Sequence, residues 1–149
     1  SPRDMAEVYD VLTELESLAA AKAASRNLTD ADLSVMSQAI TDMDTALAVD
    51  RREDWAAADD VFHSELVRHG DNNRVQMISE MMADQVRRAR LVTLYMRPAP
   101  TKSNDDHRQV VDAIRRGDPD RARRVHRQHR IAAKEVLINL LERHHLSSL

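Results

Sequence analysis

Residues 33–47, LSVMSQAITDMDTAL, carry the pattern that decides the fold. Apolar side chains recur there in alternating steps of three and four residues, at Leu33, Met36, Ile40, Met43 and Leu47. An α-helix repeats every 3.6 residues, so steps of this size bring the five side chains to one face. The stretch is predicted to be an amphipathic helix whose apolar face packs on a core.

Composition extends this prediction to the whole chain. The 149 residues include only two glycines, four prolines and four aromatic residues, a poor supply for the turns and strands of a sandwich or barrel. Alanine, leucine, methionine and charged residues dominate, and most of these favour helices. We therefore expect a single all-α domain over residues 1–149.

Five further helices follow from periodicity and from capping residues. Their connections are short, so neighbouring helices should be antiparallel, and the expected fold is an antiparallel bundle. Together with the helix already described, for which Thr29 is the predicted cap, the predicted segments number six. The other five are residues 4–24, one from near Asp54 to His69, one capped by Asp71, Asn72 or Asn73 and ended by Pro98, one capped by Ser103 or Asn104, and one from Asp118–Pro119 to about Arg143.

Charge and cysteine content exclude several classes of function. Lysine and arginine total 22 against 25 acidic residues, a net charge of −3 that argues against autonomous DNA binding. The chain has no cysteine, which excludes disulfides and thiolate metal sites and fits a cytoplasmic location. Apolar runs are too short for a membrane span, so we expect no membrane partner.

Three histidines lie on predicted inward faces, where a polar side chain needs a partner. His63 follows Asp59 by four residues, and an i, i+4 carboxylate–imidazole pair can chelate a metal. Asp60 is the competing carboxylate. His107 extends the apolar stripe of the fifth helix, and His129 lies on that of the sixth.

The other histidines are predicted to lie at helix ends or on the surface: His69, His126, His144 and His145. His126 is also a rival to His129, since both lie near the same side of the sixth helix. Three imidazoles and one carboxylate favour zinc, with nickel, manganese, iron or cobalt as alternatives. Such a set leaves room for water or a small anion on the metal.

Three segments resemble the FCD domain, the effector-binding half of the FadR subfamily of GntR-family transcription regulators. Residues 59–66, DDVFHSEL, followed by Asn72 and Asn73, are similar to its D-x-x-F-H-x-x-L…N signature. Residues 107–118, HRQVVDAIRRGD, followed by Ala122 and His129, are similar to its second signature. Leu15-Glu16 and the alanines after it resemble its first helix.

This resemblance implies a bundle of six or seven helices that encloses a metal site beside a ligand cavity. The family's metal ligands fall on Asp59, His63, His107 and His129. The resemblance also implies a small organic acid as effector, a homodimer, and control of operator DNA binding through an attached domain. Leu12 stands where many members carry arginine, which puts a guanidinium at that place in doubt.

The start of the chain, Ser1-Pro2-Arg3-Asp4, is similar to a shortened linker. No winged helix-turn-helix precedes the first helix, so we expect a sensor domain separated from its DNA-binding half.

The fourth helix supplies candidates for the effector site, because a carboxylate gains from a nearby guanidinium. Helical spacing places Gln85, Arg88 and Tyr95 on one face with Met81 and Val92, so these three are the predicted effector contacts. Arg87 competes with Arg88, and both arginines are alternatively solvated surface charges.

Two other functions compete with an effector sensor. A metalloenzyme would use the same ligands to activate water, but no general base or nucleophile has a convincing place in the sequence. A dimerisation module without a ligand is the third hypothesis. We expect a sensor rather than an enzyme.

Overall fold

The computed structural model describes residues 1–146 and confirms an all-α bundle, with no strand in that range. Its six helices are α1 (Pro2–Ala24), α2 (Ser34–Ala48), α3 (Arg52–His69), α4 (Asn73–Thr93), α5 (Thr101–Arg115) and α6 (Pro119–Arg143). None of the helices in this part of the chain is both long enough and apolar enough to cross a membrane.

Several helix ends lie where the capping residues predicted them. The Asn72 side chain accepts hydrogen bonds from the backbone N–H groups of Arg74 and Val75, both at 3.1 Å. Asp118 caps α6 in the same way through Arg121, and Pro119 occupies the first turn. α3 ends at His69 as expected.

Two predicted caps are wrong. Thr29 caps a turn with Asp32, and α2 itself begins only at Ser34. α5 begins at Thr101, before either Ser103 or Asn104. Asn104 is buried instead, where it accepts a hydrogen bond from the Trp55 indole at 2.9 Å and donates one to Asp44 at 2.8 Å.

The apolar core forms two clusters. One joins α2, α3 and α5 to the C-terminal part of α1, around Met36, Phe62 and Ile114. The other joins the N-terminal part of α1 to α4 and the C-terminal part of α6, around Leu12 and Leu137. Along α1 and α6, the buried polar side chains fall between these two clusters.

α4 departs from the apolar stripe that helical periodicity predicts for it, namely Val75, Ile78, Met82, Ala89, Val92 and Met96. Val75 and Ala89 are buried as expected, but Ile78, Val92 and Met96 are exposed. The inward face of α4 carries polar residues as well as apolar ones: Val75, Ser79, Val86, Ala89, Arg90 and Thr93. Apolar residues therefore occupy two faces of this helix, and the prediction combined them.

A close approach of the C-terminal end of α3 to α1 generates a test of the packing. A Cβ at Gly70 would lie 2.7 Å from the Ala19 Cβ and 2.8 Å from its Cα. We expect Gly70→Ala to lower the free energy of unfolding by about 1–3 kcal/mol in urea denaturation, because the helices must move apart. The exposed change Ser34→Ala is the control, and equal stability of the two variants would contradict the packing.

Candidate metal centre

Buried polar side chains from four helices meet between the two apolar clusters. Each is at most 9 % exposed, so each needs a partner within the protein. The cluster comprises Glu16 from α1, Asp59 and His63 from α3, Asp106 and His107 from α5, and His126, His129 and Arg130 from α6.

His63 lies at the centre of the cluster. Its Nδ1 donates a hydrogen bond to Glu16 Oε2 at 2.9 Å, whereas its Nε2 lies 3.5 Å from Asp59 Oδ1 and has no hydrogen-bond partner among residues 1–146. His107 Nε2 donates to the same Asp59 oxygen at 2.7 Å. Asp59 Oδ2 accepts a hydrogen bond from Arg90 at 2.5 Å. Asp59 therefore turns one oxygen to the histidines and the other to an arginine.

The structure brings together three of the predicted metal ligands, His63, His107 and His129. Each offers a ring nitrogen, and these nitrogens all lie within 4.8 Å of one another. Asp59 joins them through its contacts with His63 and His107. Its rival Asp60 is half-buried and instead accepts hydrogen bonds from Arg87 and Arg90.

Burial keeps two of these imidazoles neutral. It lowers the pKa of His107 to about 4 and that of His129 to about 3, against the opposing hydrogen bonds to Asp59 and Asp106. Burial alone would raise the pKa of Asp59, but the charge of His63 and the hydrogen bond from His107 hold it well below its usual range. Neutral His107 and His129 beside a carboxylate are in the protonation states that bind a divalent cation. His63 differs, because burial and the charge of Arg130 are outweighed by the charges of Glu16 and Asp59, which raise its pKa, so a bound metal would have to displace its proton.

His126 is buried, so its predicted place on the surface is wrong. Its Nε2 donates to Glu16 Oε2 at 2.7 Å, and burial lowers its pKa to about 3. Glu16, His63 and His126 form a second group whose ligand atoms all lie within 4.8 Å. His69 is also buried, at the end of α3, whereas His144 and His145 are exposed as predicted.

Glu16 is the central residue that the sequence interpretation missed as a site residue. Arg130 donates two hydrogen bonds to its carboxylate, at 2.6 and 2.5 Å, in addition to those from His63 and His126. A signal was present in the sequence, because Glu16 lies four residues after Leu12 and four before Ala20, on one helical face. A charged residue in such a stripe indicates a buried polar partner.

Two cavities adjoin the histidines on one side. An inner cavity of about 20 Å³, room for about one water molecule, is bordered by Asp59, His63 and His129. An outer cavity of about 230 Å³ lies between α6 and the segment that joins α4 to α5. Arg97, Ser103, His129 and Ala133 line both cavities, so a ligand in the outer one reaches the edge of the histidine group.

The structure does not bring the predicted effector contacts to these cavities. Gln85 and Arg88 lie on the exposed face of α4, and Tyr95, just beyond its end, is also exposed and donates a hydrogen bond from its hydroxyl to Glu53. The prediction placed the ligand-facing side of α4 at Gln85 and Arg88, whereas the inward face carries Val86, Ala89 and Arg90. Arg90 borders the inner cavity and Arg87 a third cavity of about 40 Å³ between α3 and α4.

The buried carboxylate of Glu16 generates a stability prediction. We expect Glu16→Gln to lower the free energy of unfolding by about 3–5 kcal/mol, since it leaves Arg130 buried without its counter-charge. Glu14→Gln is a matched control. Glu14 lies on the exposed side of the same helix and pairs with Arg127 of α6, so this change should lower the free energy of unfolding by less than about 1 kcal/mol. Chemical denaturation measures both, and equal losses would contradict the role of Glu16.

Comparisons with known proteins agree with the sequence resemblance. The FCD domain model matches residues 7–132, which is most of the chain. No curated protein matches the chain significantly. The matched segment contains the three histidines, Asp59, Glu16 and Arg130. The chain belongs to the FCD family, the effector-binding domains of GntR-family transcription regulators.

Proposed function

We propose that this effector-sensing domain binds a divalent metal through Asp59, His63, His107 and His129, together with a small organic acid beside it. The observation that carries the proposal is the convergence of the three histidine nitrogens in one buried group, with the Asp59 carboxylate in contact with His63 and His107. Binding of the acid would control operator DNA binding by a domain joined to this one.

The contacts on the far side of the ligands support this assignment. Glu16 accepts a hydrogen bond from Nδ1 of His63, and Asp106 lies 3.3 Å from Nδ1 of His129. These bonds leave the opposite ring nitrogens for a metal, and a carboxylate behind a histidine ligand raises its basicity. His63 Nε2 is buried and has no hydrogen-bond partner in the described part of the chain, which is the state expected of an atom held for a cation.

The second group, which contains Glu16 and His126, fits a metal less well. The Arg130 guanidinium already occupies both oxygens of Glu16, and its positive charge would repel a cation there. We therefore assign Glu16 and His126 to the support of His63.

Three nitrogen ligands and one oxygen ligand favour zinc, with nickel, manganese or iron as alternatives. A metal with an open position supplies a Lewis acid to which a carboxylate can bind. The outer cavity is large enough for a small acid, and Arg97 and His129 line it. Since FCD domains are regulatory, we propose ligand binding without catalytic turnover.

The exposed face of α4 supports a homodimer. On α4, Met77, Met81 and Val92 are between 48 % and 65 % exposed, and Tyr95, just beyond the end of the helix, is 57 % exposed. Such a patch on a soluble domain marks an interaction surface. We propose that two copies pair through this face, and that operator DNA is contacted only by the attached domains.

α1 offers a path from the site to an attached domain. Glu16 links α1 to His63, His126 and Arg130, and α1 packs most extensively on α6. A ligand that shifts His63 or His129 would therefore move α1, to whose N-terminal end the DNA-binding domain of a regulator would be joined.

Metal analysis tests the proposed centre. We expect about one transition metal per chain in the purified, untagged protein and almost none in His107→Ala. The exposed His144→Ala should keep the metal. Chelation of the wild-type protein should lower its Tm by several degrees, because a bound metal stabilises the folded state. A metal-free protein, even after incubation with zinc, nickel and manganese, would overturn the proposed centre.

The dimer is tested by its mass in solution. We expect Met81→Glu combined with Val92→Glu to convert a dimer into a monomer in light scattering, because four buried charges would face one another across the two-fold axis. Val49→Glu is the control, since Val49 is 64 % exposed but lies beyond α2, away from this face. A dimer that survives the double change would place the interface elsewhere.

A further inference from the structure

Arg97 lines both cavities, and two of its three side-chain nitrogens are buried without a hydrogen bond in the described part of the chain. It lies in the segment between α4 and α5, and its Nε and Nη2 have no partner within residues 1–146. The guanidinium carbon lies 5.5 Å from the centroid of the Trp55 ring, so it rests on an aromatic face. Its donors are thus positioned but unused.

The other arginines of the inner cavity differ from Arg97 in charge compensation. Arg90 pairs with Asp59 and Asp60, and Arg130 pairs with Glu16. Within the described part of the chain, no carboxylate forms an ion pair with Arg97. Burial lowers the pKa of Arg97, which shows that its charge is poorly solvated. An uncompensated cation in a cavity wall lowers the stability of the ligand-free protein, and a bound anion would offset that cost.

Arg97 lies beside the same cavities as the candidate metal centre. Arg97 and His129 both line the outer and inner cavities, so one small molecule can contact both. The backbone of Arg97 is held in place, because Arg52 Nη1 donates hydrogen bonds to the carbonyl oxygens of Arg97 and Leu94, at 2.6 and 3.3 Å. The cavity therefore presents, beside the histidine group, a guanidinium whose backbone is held by hydrogen bonds.

The charged groups around the cavities favour an anion with more than one charge. Glu16 pairs with Arg130, Asp59 with Arg90, Asp60 with Arg87, and Asp106 with Lys102. Among these groups the positive charge of Arg97 remains in excess, and a divalent metal would add to that excess. A ligand with two negative charges would reduce it in this buried region.

We propose that Arg97 is the second anchor of the effector and selects a dicarboxylate over a monocarboxylate. One carboxylate lies toward the histidine group, and the other accepts hydrogen bonds from Arg97 Nε and Nη2. This inference rests on the proposed function, because it assumes an acid bound beside the metal centre. It assigns specificity to the α4–α5 segment, whereas the histidines supply general affinity for acids.

Calorimetry on the metal-loaded protein tests the selection with acids of equal carbon number: malonate against propionate, succinate against butyrate, and glutarate against valerate. We expect at least one diacid to bind about tenfold or more tightly than its partner, because a charge-assisted bidentate contact is added. Arg97→Gln should lose this preference and change monoacid affinity by less than about twofold. Arg88→Gln should keep the preference, since Arg88 lies on the exposed face of α4.

A purely structural role for Arg97 is separated by the stability of the ligand-free protein. We expect Arg97→Gln to unfold at the same temperature as the wild type or higher, because it removes an uncompensated buried charge, and to lose the extra stabilisation by the diacid. A markedly less stable ligand-free variant would make Arg97 structural and overturn the inference.

The outcomes distinguish this inference from the proposed function. Absence of metal from the wild-type protein contradicts the proposed function itself. If the metal binds normally but monoacids bind as tightly as diacids, or monoacids bind and no diacid of the series does, only the role of Arg97 is contradicted. A preference for diacids that survives in Arg97→Gln likewise contradicts only the role of Arg97.

Discussion

The rest of the site depends on one buried carboxylate, that of Glu16. It accepts hydrogen bonds from His63 on α3 and from His126 and Arg130 on α6, so three helices meet at one side chain. Burial alone would raise its pKa, but the charges of Arg130 and His63 and the hydrogen bond from His126 hold it well below its usual range. Because a buried charge must keep these partners, the relative positions of α1, α3 and α6 are constrained.

This constraint explains why the histidines can be arranged for a ligand. Glu16 orients the His63 ring, and the stacking of Phe62 on His107, with ring centroids 3.9 Å apart, orients a second ring. Apolar clusters lie on both sides along α1 and α6 and keep the polar group away from bulk water. In such surroundings each ionic contact is stronger than it would be at the surface, and each missing contact is more costly.

Local patterns explain what the sequence could predict. Asp59 and His63 lie one turn apart on a single helix, and apolar periodicity alone predicted the inward faces of His107 and His129. The contacts of Arg130 and Arg97 could not be predicted, because they depend on which helices pack together and how each is rotated. α4 shows the difficulty, since its exposed Val92 and buried Ala89 both fit an apolar stripe. Asn104 likewise looked like a cap, but a tertiary contact with Trp55 gives it another role.

The two halves of the cavity differ in how rigidly they are held. On one side, helix side chains bind one another through carboxylates, as in the contact between Asp59 and Arg90. On the other side, Arg97 belongs to a connecting segment whose backbone is held by Arg52 and whose guanidinium has unused donors. A ligand that engaged Arg97, as we propose, would act on the junction of α4 and α5, the helix that carries His107. Occupancy of the cavity would then reach the surface of α4 through this short segment, in addition to the proposed path through Glu16 and α1.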